Sequence, residues 1–513
     1  MMPEKPINKK AQQIQKILLI VICIGSFIGL GITWALASPL GGSPDDDYHL
    51  ASTWCPTPLD KSGCVIREDT ETGKIAALVP QPIAKNDKCF AFRSNVSAAC
   101  TYKYSAAKDE WTYRVDDGNY PGGYYKFHHL FISDNLITSI ISMRIINFLI
   151  GIILYGIILA LLPPELRLKS VLALLVAWTP MGIYFIASNN PSSWAILGIS
   201  AFFLSMLGAV ENTGKNRYLL LVCAAVGAAL ACASRGDAAF YLLVAGLAIG
   251  VYAFRSTHWK ATMSIAGLAS LVGLFVFRNT GHSVSITHVA TSGAIENSST
   301  ITTPPLNRII SLLLSFPEYF AGFWGAGFGP GWFDVPMRTA VFLGAFTALG
   351  IFLSLALGKS SLKKILMLCI VGGAVVGIPV VAAYTQGNMQ TYIMQPRYLL
   401  PLLAPLLIVL ALDKKFISGP GKQKSLWLLI SCLSLANMYA LHSVLGRFTG
   451  GTDRDKYNLN KLLSWWWDIP ASPMLVWAVG SLLFFCACAS LLLLLSRLDT
   501  PAPASISQKI KPE

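Results

Sequence analysis

Residues 17–38 read ILLIVICIGSFIGLGITWALAS, an apolar run that is long enough to cross a bilayer as an α-helix. A lysine-rich segment, residues 1–16, precedes it, and signal peptides share this order. A signal peptide, however, has an apolar core of only about 7–15 residues and ends at a small-residue cleavage site. Ala35-Leu36-Ala37 is only a weak match to such a site. We therefore interpret the run as a retained first transmembrane helix that follows a cytoplasmic N-terminal segment.

The composition of the whole chain is that of a membrane protein. Of its 513 residues, 54% are hydrophobic and only 13% are charged, whereas soluble proteins carry about 25% charged residues. This excludes a cytosolic enzyme, a disordered chain and a small disulfide-stapled protein. The net charge is +14, but the basic residues are scattered between apolar runs instead of clustering in one soluble domain. The lipid bilayer is therefore the expected partner, and nucleic acid is not.

Eleven further apolar runs follow the first. They lie at 136–162, 170–187, 192–210, 218–234, 238–254, 261–277, 339–357, 365–384, 398–412, 425–445 and 473–496. With the first run they predict an all-α polytopic membrane protein of about 12 transmembrane helices, with helices 2–7 inside 136–277 and helices 8–12 inside 339–496. A thirteenth run, 306–323, is interrupted by Pro317 and Glu318, which favours a re-entrant or interfacial helix.

The basic residues predict the orientation of these helices. With the N-terminus inside, every inner connection carries lysine or arginine, as is usual on the cytoplasmic side of a cell membrane. Both termini, including the tail 497–513, are then cytoplasmic, and the segments 39–135 and 278–338 are extracytoplasmic. A full crossing by residues 306–323 would turn the later basic connections outward, so the charge pattern also supports the interfacial interpretation of that run.

Four of the 11 cysteines lie in the polar loop 39–135, and the other seven lie inside apolar runs. An even number of cysteines confined to one soluble loop indicates disulfides in an oxidising compartment. Four cysteines allow three connectivities, of which the short spacings favour Cys55–Cys64 with Cys89–Cys100. Zinc is a weaker alternative because the loop contains no Cys-x-x-Cys pair.

The loop begins with a run of acidic residues, Ser43-Pro44-Asp45-Asp46-Asp47-Tyr48-His49. One interpretation is a helix start, with Ser43 as the N-cap and Asp46 as its acidic partner. Three adjacent carboxylates also repel one another unless a cation, a proton or a hydrogen-bond donor intervenes. A divalent cation such as Mg²⁺ or Mn²⁺ is one such group, and the sequence leaves its presence open. On a helix His49 shares a face with Asp45 and Asp46.

The residues of the outer side can supply the chemistry of glycosyl transfer from a lipid phosphate. The reaction needs a carboxylate that takes a proton from the acceptor hydroxyl, and positive charge that stabilises the departing phosphate. Asp45 and Asp46 are the candidate catalytic residues, with Asp47 and His49 in support. The candidate phosphate-binding residues are Arg397, Arg144 and Arg338, because a guanidinium binds phosphate through a planar fork.

Some of these outer residues also have simpler interpretations. Arg397 precedes a span and can serve as an interfacial anchor, and Arg235 with Asp237 can simply solvate a short turn. The three consecutive tryptophans 465–467 suit an aromatic belt at the membrane surface or a platform on which a sugar stacks.

The acidic run resembles the first outer loop of GT-C-type membrane glycosyltransferases, which use lipid-phosphate-linked sugars. More closely, the chain is similar to an uncharacterised bacterial multi-pass membrane family that carries Pro-Asp-Glu-x-x-His at this point, with Asp46 here in the position of the Glu. Further matches follow in order along residues 40–405. They are Tyr120-Pro121-Gly122-Gly123-Tyr124-Tyr125, Arg144, Pro180 with Asn190-Pro191, Gly329-Pro330-Gly331-Trp332-Phe333-Asp334 and Gln395-Pro396-Arg397-Tyr398-Leu399-Leu400-Pro401.

The resemblance implies a GT-C-like fold and a sugar transfer from a polyprenyl-phosphate donor to a cell-envelope glycan or lipid acceptor on the outer face. The matched segments would contribute Tyr124, Trp332, Asp334 and Gln395 to the lining of the substrate site. Two alternatives remain: a transporter or flippase of lipid-linked glycans, and a non-catalytic envelope scaffold. A transporter would show paired, interrupted spans in two related halves, which the sequence does not clearly contain.

Overall fold

The computed structural model describes residues 9–281, 304–356, 358, 360–386, 388, 391, 394–412, 421–453, 457–461 and 465–498. Half of the predicted N-terminal segment 1–16 and most of the predicted tail 497–513 therefore lie outside the described residues. The described chain is mostly helical, with one small sheet in the loop after the first helix.

The helices are numbered here in chain order. They are α1 (Lys9–Leu36), α2 (Asp46–Trp54), α3 (Gln81–Phe90), α4 (Gly123–His129), α5 (Leu136–Leu161), α6 (Pro164–Trp178), α7 (Met181–Ile186), α8 (Ser192–Glu211), α9 (Gly214–Ser234), α10 (Gly236–Ala253), α11 (Trp259–Asn279), α12 (Pro305–Ala321), α13 (Thr339–Ala356), α14 (Leu362–Thr385), α15 (Pro396–Leu410), α16 (Lys422–Gly450) and α17 (Pro473–Leu498).

Ten helices among the described residues are long and apolar enough to cross a membrane. They are α1, α5, α8, α9, α10, α11, α13, α14, α16 and α17. The other two predicted spans are shorter in the structure. The run 170–187 is divided between α6 and α7, where Pro180 begins a new turn, and the run 398–412 forms α15, a 15-residue helix with two internal prolines. The prediction of a polytopic all-α membrane protein is confirmed.

Helix α12 contains the interrupted thirteenth run, and it is not among the helices that are long enough to span. It has 17 residues, with Pro317 inside it. Leu306, Leu313 and Leu314 are exposed on one face, while Arg308 and Tyr319 are buried on the other. An amphipathic helix of this length suits a position at the membrane surface, and the interfacial position stays a prediction.

The spanning helices pack around α8, which is almost entirely buried. Its main neighbour is α9, and the two helices approach closely where Gly198 faces Gly227. A β-carbon on Gly198 would lie 2.6 Å from the carbonyl oxygen of Gly227, so a side chain there would force the helices apart. Small residues at such contacts are the usual basis of close helix packing in membranes.

The loop between α1 and α5 folds into a small domain of its own. Its sheet has three antiparallel strands in the order β1-β2-β3, namely Ile66–Glu68, Ile75–Pro80 and Asp109–Thr112. In register, Ile66 pairs with Ala77 and Ala77 with Thr112. Disulfides join Cys55 to Cys64 and Cys89 to Cys100, which confirms the favoured pairing. A small domain with little core of its own depends on such cross-links.

Candidate functional site

The chain that leaves the first span, residues 35–44, is held by side chains from distant elements. Arg144 donates to the carbonyl oxygens of Ala35, Ser38 and Pro39, and the indole of Trp467 donates to that of Leu36. Further along, the carbonyl oxygens of Gly41, Gly42 and Pro44 accept from Trp332, Tyr184 and Asn190, respectively. Because these donors come from separate parts of the fold, the acidic residues that follow start from a fixed backbone.

Arg144 is completely buried, and protein atoms use its whole guanidinium. Besides the three carbonyl oxygens, its Nε donates to the side chain of Asn189 at 2.6 Å, and its Nη2 lies 3.5 Å from a carboxylate oxygen of Asp46. A charge inside a membrane protein is costly unless it is paired in this way. The geometry therefore favours a role for Arg144 in positioning the acidic residues, and a phosphate could reach it only if these bonds broke.

The helix that carries the acidic run starts later than the sequence indicated. Helix α2 begins at Asp46, preceded by Asp45 in the left-handed conformation at φ 59°, so the predicted start at Ser43 and Pro44 is wrong. Aspartate tolerates this conformation better than most residues do. The backbone N–H of Ser43 donates to Asp46 Oδ2 at 3.2 Å. This is the bond that the acidic partner in a capping box makes, although the helix itself begins later.

Each of the three adjacent carboxylates lies beside at least one arginine. Asp45 accepts from Arg114 at 3.0 Å and from Arg397 at 3.1 Å. Asp47 accepts two hydrogen bonds from Arg114. Asp46 turns inward toward Arg144. These arginines can relieve the repulsion that the sequence suggested. Arg114 was not among the candidates that the sequence offered. Nowhere in the described part of the chain do three His, Cys, Asp or Glu side chains gather closely enough to hold a metal ion.

Asp45 and Asp46 differ sharply in exposure and acidity. The side chain of Asp45 is 39% exposed, whereas that of Asp46 is 0% exposed. Burial alone would raise the pKa of Asp45, but the charges of Arg397 and Arg114 oppose it, and the pKa lies below its ordinary value. Burial raises the pKa of Asp46 to about 6, although Arg144 opposes it. Asp45 is therefore an accessible carboxylate, and Asp46 is an enclosed one.

His49 packs behind the carboxylates in an aromatic layer. Its Nδ1 lies 2.9 Å from the hydroxyl of Tyr125, and its ring contacts those of Tyr48 and Tyr120. Burial lowers the pKa of His49 well below its ordinary value, so the ring is neutral at physiological pH. In the same layer Tyr48 donates to the buried carboxylate of Asp116 at 3.0 Å. The position of His49 suits a support for the site.

Arg397 is the phosphate-binding candidate whose guanidinium is only partly used. The residue is buried, and its Nη2 donates to Asp45 and to the hydroxyl of Tyr398, each at 3.1 Å. Its Nε and Nη1 have no hydrogen-bond partner within the described structure. Around it lie the rings of Phe185, Phe333 and Tyr398, at 5.8, 5.6 and 5.0 Å from the guanidinium carbon. Buried donors without acceptors are costly, so this geometry favours an anion beside Arg397.

Arg235 lies near Arg397, and it is buried instead of solvating a surface turn as expected. Asp237 accepts two hydrogen bonds from it, at 2.8 and 2.9 Å. The guanidinium carbon lies 4.6 Å from the ring centre of Tyr398, on which Arg397 also stacks. Two arginines therefore flank one tyrosine, and a single carboxylate already neutralises Arg235.

The remaining site candidates lie in several different surroundings. Arg338 lies over the ring of Tyr457 at 5.8 Å. Tyr124 is buried and accepts a hydrogen bond from Asn147 at 3.2 Å. Gln395 immediately precedes α15, and its Oε1 has no partner among the described residues. Of these three, Gln395 lies two positions before Arg397 in the chain.

Trp332 and Asp334 lie on the segment that covers the acidic loop. The indole of Trp332 donates to Gly41 at 2.8 Å, and its backbone N–H donates to Asp334 at 3.1 Å. Asp334 is paired with Arg447, which also donates to the carbonyl oxygens of Phe90, Arg93 and Val96. Arg447 thus ties the loop domain to α16, a link that the sequence analysis missed because nothing local marks it.

One protein family matches most of this chain. Residues 27–407 match the family described as predicted membrane protein (DUF2142), and the chain belongs to that family. No curated protein and no solved structure is detectably similar to it. The family membership agrees with a multi-pass membrane protein, and the match covers the end of α1, the acidic loop and the Arg397 segment.

Proposed function

We propose that this member of the DUF2142 family is a glycosyltransferase that moves a sugar from a polyprenyl-phosphate donor to a cell-envelope glycan or lipid acceptor on the outer face of the membrane. The observation that carries the proposal is the pair formed by Asp45 and Arg397. An accessible carboxylate lies 3.1 Å from a buried guanidinium whose Nε and Nη1 have no partner in the described residues. The pair offers both groups that the reaction needs, a base and an anion-binding donor.

Asp45 is the base in this proposal because it is the carboxylate that an acceptor can contact. The acceptor hydroxyl oxygen attacks the anomeric carbon of the donor sugar, and Asp45 takes the hydroxyl proton. The bond from the anomeric carbon to the phosphate oxygen breaks, and its electron pair leaves with the polyprenyl phosphate. Arg397 binds the negative charge that develops there. Asp46, which is fully enclosed, acts indirectly by holding the loop against Arg144.

Donor binding would also change the pKa of Asp45, which is below its ordinary value in the structure. While Arg397 contacts Asp45, its charge helps to hold the pKa of that carboxyl below the ordinary value, and this weakens Asp45 as a base. A donor phosphate that takes hydrogen bonds from Arg397 withdraws part of this stabilisation. The pKa of Asp45 then rises toward its ordinary value. Donor binding therefore strengthens the base when the acceptor needs it.

A divalent cation is not required for these steps. Each of the three carboxylates at this loop that could bind Mg²⁺ or Mn²⁺ already has an arginine within ion-pair distance, from among Arg114, Arg144 and Arg397. The proposal therefore assigns the phosphate to guanidinium groups. Comparing sugar transfer in EDTA and in added Mg²⁺ tests this assignment.

The proposal includes an orientation in the cell membrane, with both termini cytoplasmic and the domain 39–135 outside. Two observations support it. The disulfides Cys55–Cys64 and Cys89–Cys100 belong to an oxidising compartment, and they lie on the same side as the acidic loop. The basic connections between the spans belong to the cytoplasmic side.

The test combines genetics and enzymology. A deletion strain is complemented with wild type, Asp45→Asn, Arg397→Lys or the control Asp60→Asn, an exposed carboxylate of the same domain. The envelope glycan and lipid fractions are analysed, and sugar transfer is measured with membranes that contain equal amounts of each protein. We expect Asp45→Asn to lower the rate by about 10²–10⁴-fold. Arg397→Lys, which keeps charge without the fork, should weaken donor use.

Full transfer by Asp45→Asn would contradict the proposed base. If both site variants restored the envelope completely, the catalytic proposal would fail, and the transporter and scaffold hypotheses would replace it. Asp46→Asn is compared with Asp45→Asn to decide which residue is the base. The family pattern favours position 46 as the catalytic carboxylate, whereas the exposure of the two side chains favours position 45.

A further inference from the structure

Phe92 is an aromatic side chain that the loop domain presents to its surroundings. It is 70% exposed, and its backbone lies in the left-handed region at φ 60°. That region is unfavourable for a residue with a β-carbon, and exposure forgoes the stabilisation that a buried phenylalanine provides. Glycine or asparagine at this position would cost the fold less, so stability alone does not explain a phenylalanine here.

The loop around Phe92 is held firmly on both sides. The disulfide Cys89–Cys100 encloses it. The buried Arg447 donates to the carbonyl oxygens of Phe90 at 2.9 Å and Val96 at 2.6 Å. An unfavourable backbone conformation that the surrounding structure fixes in this way is typical of functional positions.

Phe92 lies at the rim of the proposed active site. Its ring packs edge-on against Trp332, with centroids 5.4 Å apart, and the indole of Trp332 donates to Gly41 at the start of the acidic loop. The next residue, Phe333, is also left-handed at φ 61°, and its ring lies 5.6 Å from the guanidinium carbon of Arg397. Phe92 thus contacts Trp332, and the residue that follows Trp332 in the chain faces Arg397.

We propose that Phe92, supported by Trp332, forms a binding subsite for a pyranose ring of a glycan acceptor. The inference rests on the proposed function and narrows its acceptor to a carbohydrate. The apolar C–H face of a sugar would stack on Phe92, and its hydroxyls would meet the polar side chains that follow in the loop, Arg93, Ser94 and Asn95. A lipid tail would instead need a broad apolar surface, which this polar stretch does not provide.

Three variants separate a binding role from a structural one. Phe92→Gly removes the ring and relieves the backbone, Phe92→Tyr keeps a ring, and Phe254→Ala removes an exposed ring elsewhere as a control. The full chain in nanodiscs is titrated, without donor, with fluorescent oligosaccharides released from the envelope glycan of the host. Thermal unfolding of each variant is measured in parallel.

We expect Phe92→Gly to unfold at the same or a higher temperature, yet to bind the oligosaccharides about five- to tenfold more weakly, in line with the loss of one aromatic contact. Phe92→Tyr and Phe254→Ala should bind like wild type. Equal binding by Phe92→Gly would overturn the subsite, and so would an equal loss in Phe254→Ala. Because donor is absent, this result is independent of the Asp45 assay, which tests the proposed function itself.

Discussion

Asp46 is a buried carboxyl whose charge destabilises the folded protein, and its replacement by asparagine gives a quantitative test of the site. Burial raises its folded pKa to about 6 from an ordinary value of 3.8, with Arg144 opposing the shift. The neutral acid is thus the form that the fold prefers. The stability that protonated Asp46 contributes is fully present below about pH 4, and it is lost as the pH rises from there through about 6. A difference of about two pKa units corresponds to about 3 kcal/mol.

Asp46→Asn mimics the neutral acid at every pH, so its stability relative to wild type should depend on pH. We expect the variant to be about 1 kcal/mol more stable than wild type at pH 4.5, because the loss begins above about pH 4, and up to about 3 kcal/mol more stable by pH 7.5. The variant also removes the negative charge that faces Arg144, and this reduces its gain in stability. The guanidinium of Arg144 nevertheless keeps its bonds to three carbonyl oxygens and to Asn189.

The assay is thermal unfolding of purified protein in nanodiscs, followed by tryptophan fluorescence between pH 4.5 and 8. Comparing Asp46→Asn with wild type isolates this one carboxyl, because other titrating groups are common to both proteins. Asp60→Asn, an exposed carboxyl of the same domain, is the control and should follow wild type. Parallel wild-type and Asp46→Asn curves across this pH range would refute the reasoning, and so would a variant that is less stable at pH 7.5.

Three further predictions follow from the structure. Arg144→Met should cost about 3–5 kcal/mol of stability, because it leaves an enclosed carboxylate without its partner, and denaturation in detergent checks this. Replacing Cys55 and Cys64 by serine should cost about 2–3 kcal/mol locally and increase proteolysis of the loop domain, whereas free thiols at both positions in the wild type would contradict the pairing. Single cysteines at Lys215 and Asp60 should react with an impermeant reagent only at position 60 in intact cells, and the opposite labelling would reverse the proposed orientation.

The transmembrane architecture could be predicted from sequence because its signal is local. A run of about twenty apolar residues carries its own evidence for a spanning helix. The same locality explains the disulfides, since Cys55 and Cys64 are separated by only nine positions. The apolar runs of the sequence could not show where the backbone bends within a predicted span. The divided segment α6–α7 and the short α15 contain prolines whose effect depends on the packing around them.

The start of α2 is set by tertiary hydrogen bonds and not by the local capping pattern. Ser43 followed by Pro44 is a strong helix-start pattern, yet the helix begins at Asp46. The carbonyl oxygens of Gly41, Gly42 and Pro44 accept from side chains elsewhere in the fold, which fixes this segment in a non-helical path. Tertiary hydrogen bonds outweighed a local preference of about 1 kcal/mol, the usual size of a capping effect.

The acidic run shows why the chemistry of a membrane site is hard to predict from sequence alone. Seen in isolation, three adjacent aspartates require a counter-charge, and a bound cation is the simplest one. In the fold the counter-charges are arginines, and Asp45 meets Arg114 and Arg397 from 69 and 352 positions away. This difference changes the chemistry that the site can perform. A metal ion would occupy the carboxylates permanently, whereas an arginine shared with a substrate phosphate can release Asp45 when the donor binds. The Nε and Nη1 of Arg397, which have no partner among the described residues, therefore support the catalytic hypothesis most strongly. No local pattern in the sequence could have revealed them.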